Sequence, residues 1–139
     1  MVQKYFVDTL IYRDYYENRS DNLRPLGEWA LEFFRSVAKQ KGVILYCDLV
    51  IEEMAIEYNS DIIVLILETI ASIAPLIKIE ATAQEESEAK KLKKERKLPF
   101  ADALYAVIAR DNDAILVSRD NHFSLLLDIA VIRKPEELI

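Results

Sequence analysis

The sequence predicts an α/β fold, a three-layer α/β/α sandwich around a central, mostly parallel sheet of about five strands. Two observations lead there. Short apolar runs recur along the chain with helical stretches between them, the alternation of βα units. Several of the runs, VILYC and AILV among them, are apolar throughout, as in parallel strands covered on both faces. A third observation concerns chemistry. Asp8, Glu53, Asp102 and Asp120 each fall at, or within about a turn of, the point where an apolar run gives way to a helix or loop. In a parallel sheet those points share one edge, the edge where ligands bind.

The elements follow in order. Lys4–Val7 is a short apolar strand closed by Asp8, and Thr9–Asn18 reads as a helix. Tyr12, Tyr15 and Tyr16 share one of its faces, toward the core or toward a groove. After the polar stretch NRSDNLR, Pro25 opens a second helix with Trp29, Phe33, Phe34 and Val37 on one side, and Gly42 ends it. Val43–Cys47 is the second strand. Asp48 can cap the helix that carries Glu52, Glu53 and Glu57. Asn59 or Ser60 caps a further helix, Asp61 to Ala74, stopped by Pro75. Leu76–Ile79 is a third strand, and Thr82 and Glu85 then stand at capping-box spacing before a charged helix that runs to about Lys97. An amphipathic helix follows Pro99, from Phe100 to about Asp111. The strands Ala114–Val117 and Ile129–Ile132 complete the sheet. Crossovers should be right-handed.

Composition narrows the classes. At 139 residues, 52% apolar and 30% charged, the chain fits one globular domain over residues 1–139. Its two glycines, Gly27 and Gly42, lie far apart, which excludes a glycine-rich phosphate loop. One cysteine and one histidine exclude a Cys/His zinc set, and Cys47 inside an apolar run reads as a small buried hydrophobe. No disulfide can form within the chain, which suits the cytoplasm. The N-terminal segment reads as a strand rather than a signal peptide, and the longest apolar run, Ile62–Leu67, is too short to span a membrane. A net charge of −6 argues against broad electrostatic capture of nucleic acid but does not exclude a nuclease, because bound metal would neutralise a share of the acid.

Carboxylates crowded at one sheet edge repel one another. At ~5 Å and an effective dielectric of about 20, each pair costs roughly 3 kcal/mol. A hard divalent cation removes that cost, and oxygen donors are what Mg²⁺ and Mn²⁺ prefer. The competing reading for Glu53 and Asp102 is complementing the positive end of a helix.

Residues 98–123, LPFADALYAVIARDNDAILVSRDNHF, place an acid ahead of a small-apolar helix, then an apolar strand, then Ser118, Asp120 and Phe123. The opening strand ends in Asp8-Thr9, a helical acid follows the second strand in DLVIEEM, and the chain closes on KPEEL followed by Ile139. In this order and spacing, over nearly the whole chain, the sequence resembles the PIN domain, the fold of VapC-type toxins and related metal-dependent ribonucleases. The resemblance implies hydrolysis of RNA phosphodiester bonds with Mg²⁺ or Mn²⁺. It implies Asp8, Asp102 and Asp120 as metal ligands and Glu53 as holder of a water or a second ion. Thr9 and Ser118 could hydrogen-bond the carboxylates into place. A toxin paired with an antitoxin protein is one role it implies; RNA processing, or RNA binding without cleavage, is another. Two departures stand out. His122 occupies the position where many members carry a further acid, and offers an imidazole ligand, an RNA contact or an ordinary surface side chain. Glu52 competes with Glu53, and the apolar Met54 that follows favours Glu53.

Two further surfaces have two readings each. EESEAKKLKKERK has acids first and bases last, the charge order of a solvated helix. Alternatively its cations, with Lys93, Lys94 and Arg96 foremost, meet RNA phosphates. The helix from Asp61 is apolar nearly all round and should be covered on all sides, within the chain or by a second copy in a homodimer. A phosphoacceptor module, such as a receiver domain, is the rival from another class; a phosphatase would want Asp-x-Asp, whereas Asp8 is followed by Thr9 and Leu10.

Overall fold

The computed structural model describes every residue from Met1 to Ile139. The strands are β1 (Lys4–Val7), β2 (Val43–Tyr46), β3 (Leu76–Lys78), β4 (Ala114–Val117) and β5 (Ile132–Arg133). They form one sheet in the order β3-β2-β1-β4-β5, and every neighbouring pair is parallel. Phe6, Val7, Ile44, Leu116 and Val117 are buried because helices cover both faces of the sheet. The helices are α1 (Thr9–Glu17), α2 (Leu26–Lys39), α3 (Asp48–Glu57), α4 (Ser60–Ala71), α5 (Ala83–Arg96) and α6 (Phe100–Asp111). With right-handed crossovers, the β1-to-β2 and β2-to-β3 connections lie on one face and the β3-to-β4 connection on the other. The sandwich predicted from sequence is therefore found, with a sheet that is parallel throughout.

The strand order positions the site. From β1 the chain builds the sheet one way through β2 and β3, then returns to place β4 on the other side of β1. β1 and β4 thus pair side by side while their outgoing connections diverge, which opens a crevice beyond their C-terminal ends. Val7 is in register with Val117, and the Asp8 N–H donates to the Val117 carbonyl at 2.9 Å. Asp8 and Ser118 therefore leave the sheet at the same level.

Local chemistry explains most boundaries. Thr82 and Glu85 form the predicted capping box, with bonds of 3.0 and 2.8 Å. Asn59 caps α4 through the Ile62 N–H at 2.9 Å. Three expectations shift. Asp48 is the first residue of α3 rather than its cap, and its carboxylate pairs with Lys78 at 2.6 Å. α4 ends at Ala71, where the Ser72 hydroxyl turns back to the Thr69 carbonyl at 2.6 Å. The last strand is Ile132–Arg133, because the N–H groups of Ile129 and Ala130 already bond the Leu126 carbonyl in the turn after a short 3-10 helix, Asn121–Leu126.

Tyr12 is fully buried against Phe34, Tyr15 packs edge-on against the same ring, and Tyr16 is more exposed, edge-to-face with Tyr58 at 5.4 Å. Cys47 is buried, as expected. Gly27 is required by close approach: a Cβ there would sit 2.5 Å from the Asn18 Cα, where α2 begins beside the end of α1. α4 buries only Ile63, Ile66 and Ile70, leaving Val64 and Leu65 about half exposed, so this chain alone does not cover it on all sides. No helix is long and apolar enough to cross a membrane.

Arg119 locks the loop after β4. Its guanidinium pairs with Glu136 through two bonds of 3.0 Å, approaches buried Asp14 at 3.4 Å and lies over the Trp29 ring. The C-terminal PEEL turn, α1 and α2 are thereby tied to the residue immediately before Asp120.

Candidate metal centre

Asp8, Glu53, Asp102 and Asp120 line one cavity of about 300 Å³ at the crevice beyond β1 and β4. Asp8 is the N-cap residue of α1, but its side chain caps nothing. Instead Oδ2 accepts from the Ser118 hydroxyl at 2.9 Å, and Oδ1 has no hydrogen-bond partner in the protein. Asp102 lies in the first turn of α6, whose N-terminus favours negative charge. Asp120 caps the 3-10 helix, accepting the His122 N–H at 2.9 Å. The Ser118 hydroxyl also accepts the Asp120 N–H at 3.1 Å, so one side chain holds both acids.

Glu53 comes from α3. Its Oε1 accepts the Thr9 hydroxyl at 2.7 Å and the Tyr105 hydroxyl. Glu52 points elsewhere, into a separate cleft lined by Asp48, Glu80 and Glu86. Both hydroxyls suggested for holding carboxylates, Thr9 and Ser118, do so. The structure adds Tyr105, which sequence reasoning missed. Its offset of three from Asp102 was a usable signal, since residues one helical turn apart share a face. Arg13, also missed, is the only arginine or lysine lining the cavity, at ion-pair distances of 3.6 Å from Glu17 and 4.0 Å from Glu57.

His122 is drawn into the cluster. Its Nδ1 lies 3.1 Å from Asp102 Oδ2 and 3.2 Å from Asp120 Oδ1. Asp102, Asp120 and His122 offer donor atoms all within 4.8 Å of one another. The cations of α5 stand differently. Arg96 is held by Asp128 through bonds of 2.7 and 2.9 Å and donates to the Leu125 carbonyl, whereas Lys93 and Lys94 are exposed.

The electrostatics fit a cation. Burial pushes the Asp8 carboxyl up to about 8; the Ser118 hydrogen bond opposes this, and the charges of Asp102, Glu53 and Asp120 add to it. Burial and then Asp120 push Asp102 up to about 6, with His122 acting the other way. Four carboxylates lining one cavity, with the His122 ring nitrogen beside two of them, form a donor set that Mg²⁺ or Mn²⁺ would fit.

The match of the PIN domain family model spans residues 5–126, from β1 through the 3-10 helix that carries His122. Solved structures share the fold over most of the chain. VapBC2 from Rickettsia felis, bound to a DNA fragment from its promoter, superposes with a TM-score of 0.68 at 18% identity, covering 95% of this chain and 98% of that one. A toxin-antitoxin complex from Klebsiella pneumoniae gives 0.61 at 17% identity, with coverages of 94% and 96%. FitAcB from Neisseria gonorrhoeae gives 0.60 at 15% identity, with coverages of 94% and 97%. Among curated proteins, none matches the sequence. The strand order 3-2-1-4-5 also differs from the 2-1-3-4-5 order of receiver domains, which removes the receiver-domain form of the phosphoacceptor alternative. The family match extends over the strands and loops that deliver all four carboxylates, and the chain belongs to the PIN domain family.

Proposed function

We propose that the protein is a Mg²⁺- or Mn²⁺-dependent endoribonuclease, the toxin of a toxin-antitoxin pair. The observation that carries this reading is the meeting of four carboxylates from distant chain segments in one cavity, with Asp8 itself almost wholly buried. Asp8, Asp102 and Asp120 would hold the ion, with Glu53 holding a water or a second ion. When bound, the metal would polarise the scissile phosphate and activate water for attack on it. The chain's residues supply the geometry. Ser118 orients Asp8 and the backbone at Asp120; Thr9 and Tyr105 hold Oε1 of Glu53, which lines the cavity. Arg13 stands where its guanidinium can meet a backbone phosphate.

Likeness to the toxin-antitoxin structures supports an antitoxin partner, and the half-exposed Val64 and Leu65 support a homodimer. No serine or cysteine nucleophile stands beside a histidine base, which supports direct hydrolysis; the proposed site of action is the cytoplasm. The deciding experiment is cleavage of a mixed RNA pool by wild type and Asp8→Asn, with Mg²⁺, Mn²⁺ or EDTA. Cleavage by wild type that EDTA and Asp8→Asn both abolish supports the reading; cleavage that survives either one refutes it.

A further inference from the structure

We propose that His122 is itself a metal ligand, through Nδ1, and that this imidazole biases the site toward Mn²⁺ and later transition ions over Mg²⁺. The inference rests on the metal-site reading above and deepens it. Its geometry is specific. Nδ1 lies 3.1 Å from Asp102 Oδ2 and 3.2 Å from Asp120 Oδ1, on the cavity side of the ring. Two carboxylate oxygens and one ring nitrogen, all within 4.8 Å of one another, can close on a single ion with small side-chain adjustments. Asp8 lines the same cavity, only 4% exposed, with Oδ1 unpartnered. An ion closed by these three donors would therefore also lie within the cavity that Asp8 lines.

The backbone holds the imidazole in place. The His122 N–H is bound to Asp120 Oδ1 at 2.9 Å, which anchors the backbone from which the ring reaches both acids. The His122 side chain is 55% exposed, so its far nitrogen, Nε2, can carry the ring proton toward water and leave the Nδ1 lone pair for an ion. Mg²⁺ prefers an all-oxygen octahedron and dehydrates reluctantly. A nitrogen donor favours first-row transition ions, in the order that rises from Mn²⁺ toward Cu²⁺. One exchange, an imidazole in place of a further acid, would therefore change which ion the site selects.

A structural alternative is that a protonated His122 bridges Asp102 and Asp120 as a substitute cation and leaves when metal arrives. Electron spin-echo measurements separate the two readings, because nitrogen coupled to bound Mn²⁺ modulates the echo. The chain has a single histidine, so in untagged protein an imidazole signal has one source. The experiment adds Mn²⁺ alone to wild type, His122→Ala and His122→Asp, with Mn²⁺ and Mg²⁺ affinities measured by calorimetry. The expected result is imidazole modulation in wild type, its loss in both variants, and a lower Mn²⁺-to-Mg²⁺ affinity ratio in His122→Asp. Mn²⁺ bound to folded wild type without imidazole modulation overturns the inference and leaves the metal-site reading intact. Absence of Mn²⁺ and Mg²⁺ binding by wild type overturns both.

Discussion

Thr9 donates its hydroxyl to Glu53 Oε1 at 2.7 Å, joining the start of α1 to the middle of α3 across 44 positions of sequence. The Tyr105 hydroxyl, 3.1 Å from that of Thr9, donates to the same oxygen. Glu53 Oε2 accepts no protein hydrogen bond and remains free for water or metal. Replacing either hydroxyl removes half of this clamp. Thr9→Val and Tyr105→Phe should each lower RNA cleavage by roughly 10- to 100-fold, the usual effect of losing a partner that orients a metal-site ligand. Circular dichroism should show both variants folded, and Mn²⁺ affinity should fall with activity. Wild-type rates in both would show that the clamp is dispensable.

Burial holds Asp8 protonated up to about 8, and burial together with Asp120 holds Asp102 protonated up to about 6. In the unfolded chain both release their protons near the ordinary value of about 3.9. The folded state therefore binds more protons across that interval. The contribution of these two groups to metal-free stability should be full below about pH 4 and should fall as pH rises toward 8. Melting curves in EDTA should show this decline. Mn²⁺, which binds the ionised folded form, should reverse it. Asp8→Asn, neutral at every pH, should flatten the upper part of the decline while abolishing cleavage. A melting temperature that rises toward pH 8 without metal would contradict this account.

Adjacent acids on α3 face different cavities, Glu53 toward Asp8 and Glu52 toward Asp48, Glu80 and Glu86. Glu53→Gln should lose most activity and weaken Mn²⁺ binding, whereas Glu52→Gln should retain both. Side-by-side cleavage rates and calorimetry check the assignment, and a reversed order would exchange the two roles.

Lys93 and Lys94 are exposed and free of protein ion pairs, unlike Arg96, which is committed to Asp128. If they meet RNA phosphates, reversing both to Glu should flatten the plot of log affinity against log salt by about 0.7 for each phosphate they had neutralised. Filter binding to a non-cleavable RNA at several salt concentrations measures the slope. An unchanged slope assigns the two lysines to a solvated helix face.

Val64 and Leu65 leave apolar surface exposed on α4. If that face is the homodimer contact, Leu65→Asp should convert a dimer to a folded monomer in analytical ultracentrifugation. An unchanged sedimentation coefficient would move the contact elsewhere.

Apolar patterning and capping signals in the sequence were enough to determine the fold class, the six helices and the strands β1, β2, β3 and β4; the central runs of β1, β2 and β4 bury apolar surface on both faces, and β3 at the edge does so less. The patterning misplaced β5 because Ile129–Ile132 looks like a strand until Ile129 and Ala130 spend their N–H groups on a turn. Asp8, Asp102 and Asp120 were legible as candidates because each lies at a strand end or helix start. Only the tertiary structure decided which acids converge. The order β3-β2-β1-β4-β5 sets β1 beside β4, so Asp8 and Asp120, far apart in sequence, share Ser118. Helical phase turned Glu53 toward that crevice and Glu52 away, and long-range packing brought Tyr105 to Glu53 and His122 to Asp102. Local pattern records what a residue must bury. Which side chains meet depends on crossovers, and those are set by the packing of the whole sheet.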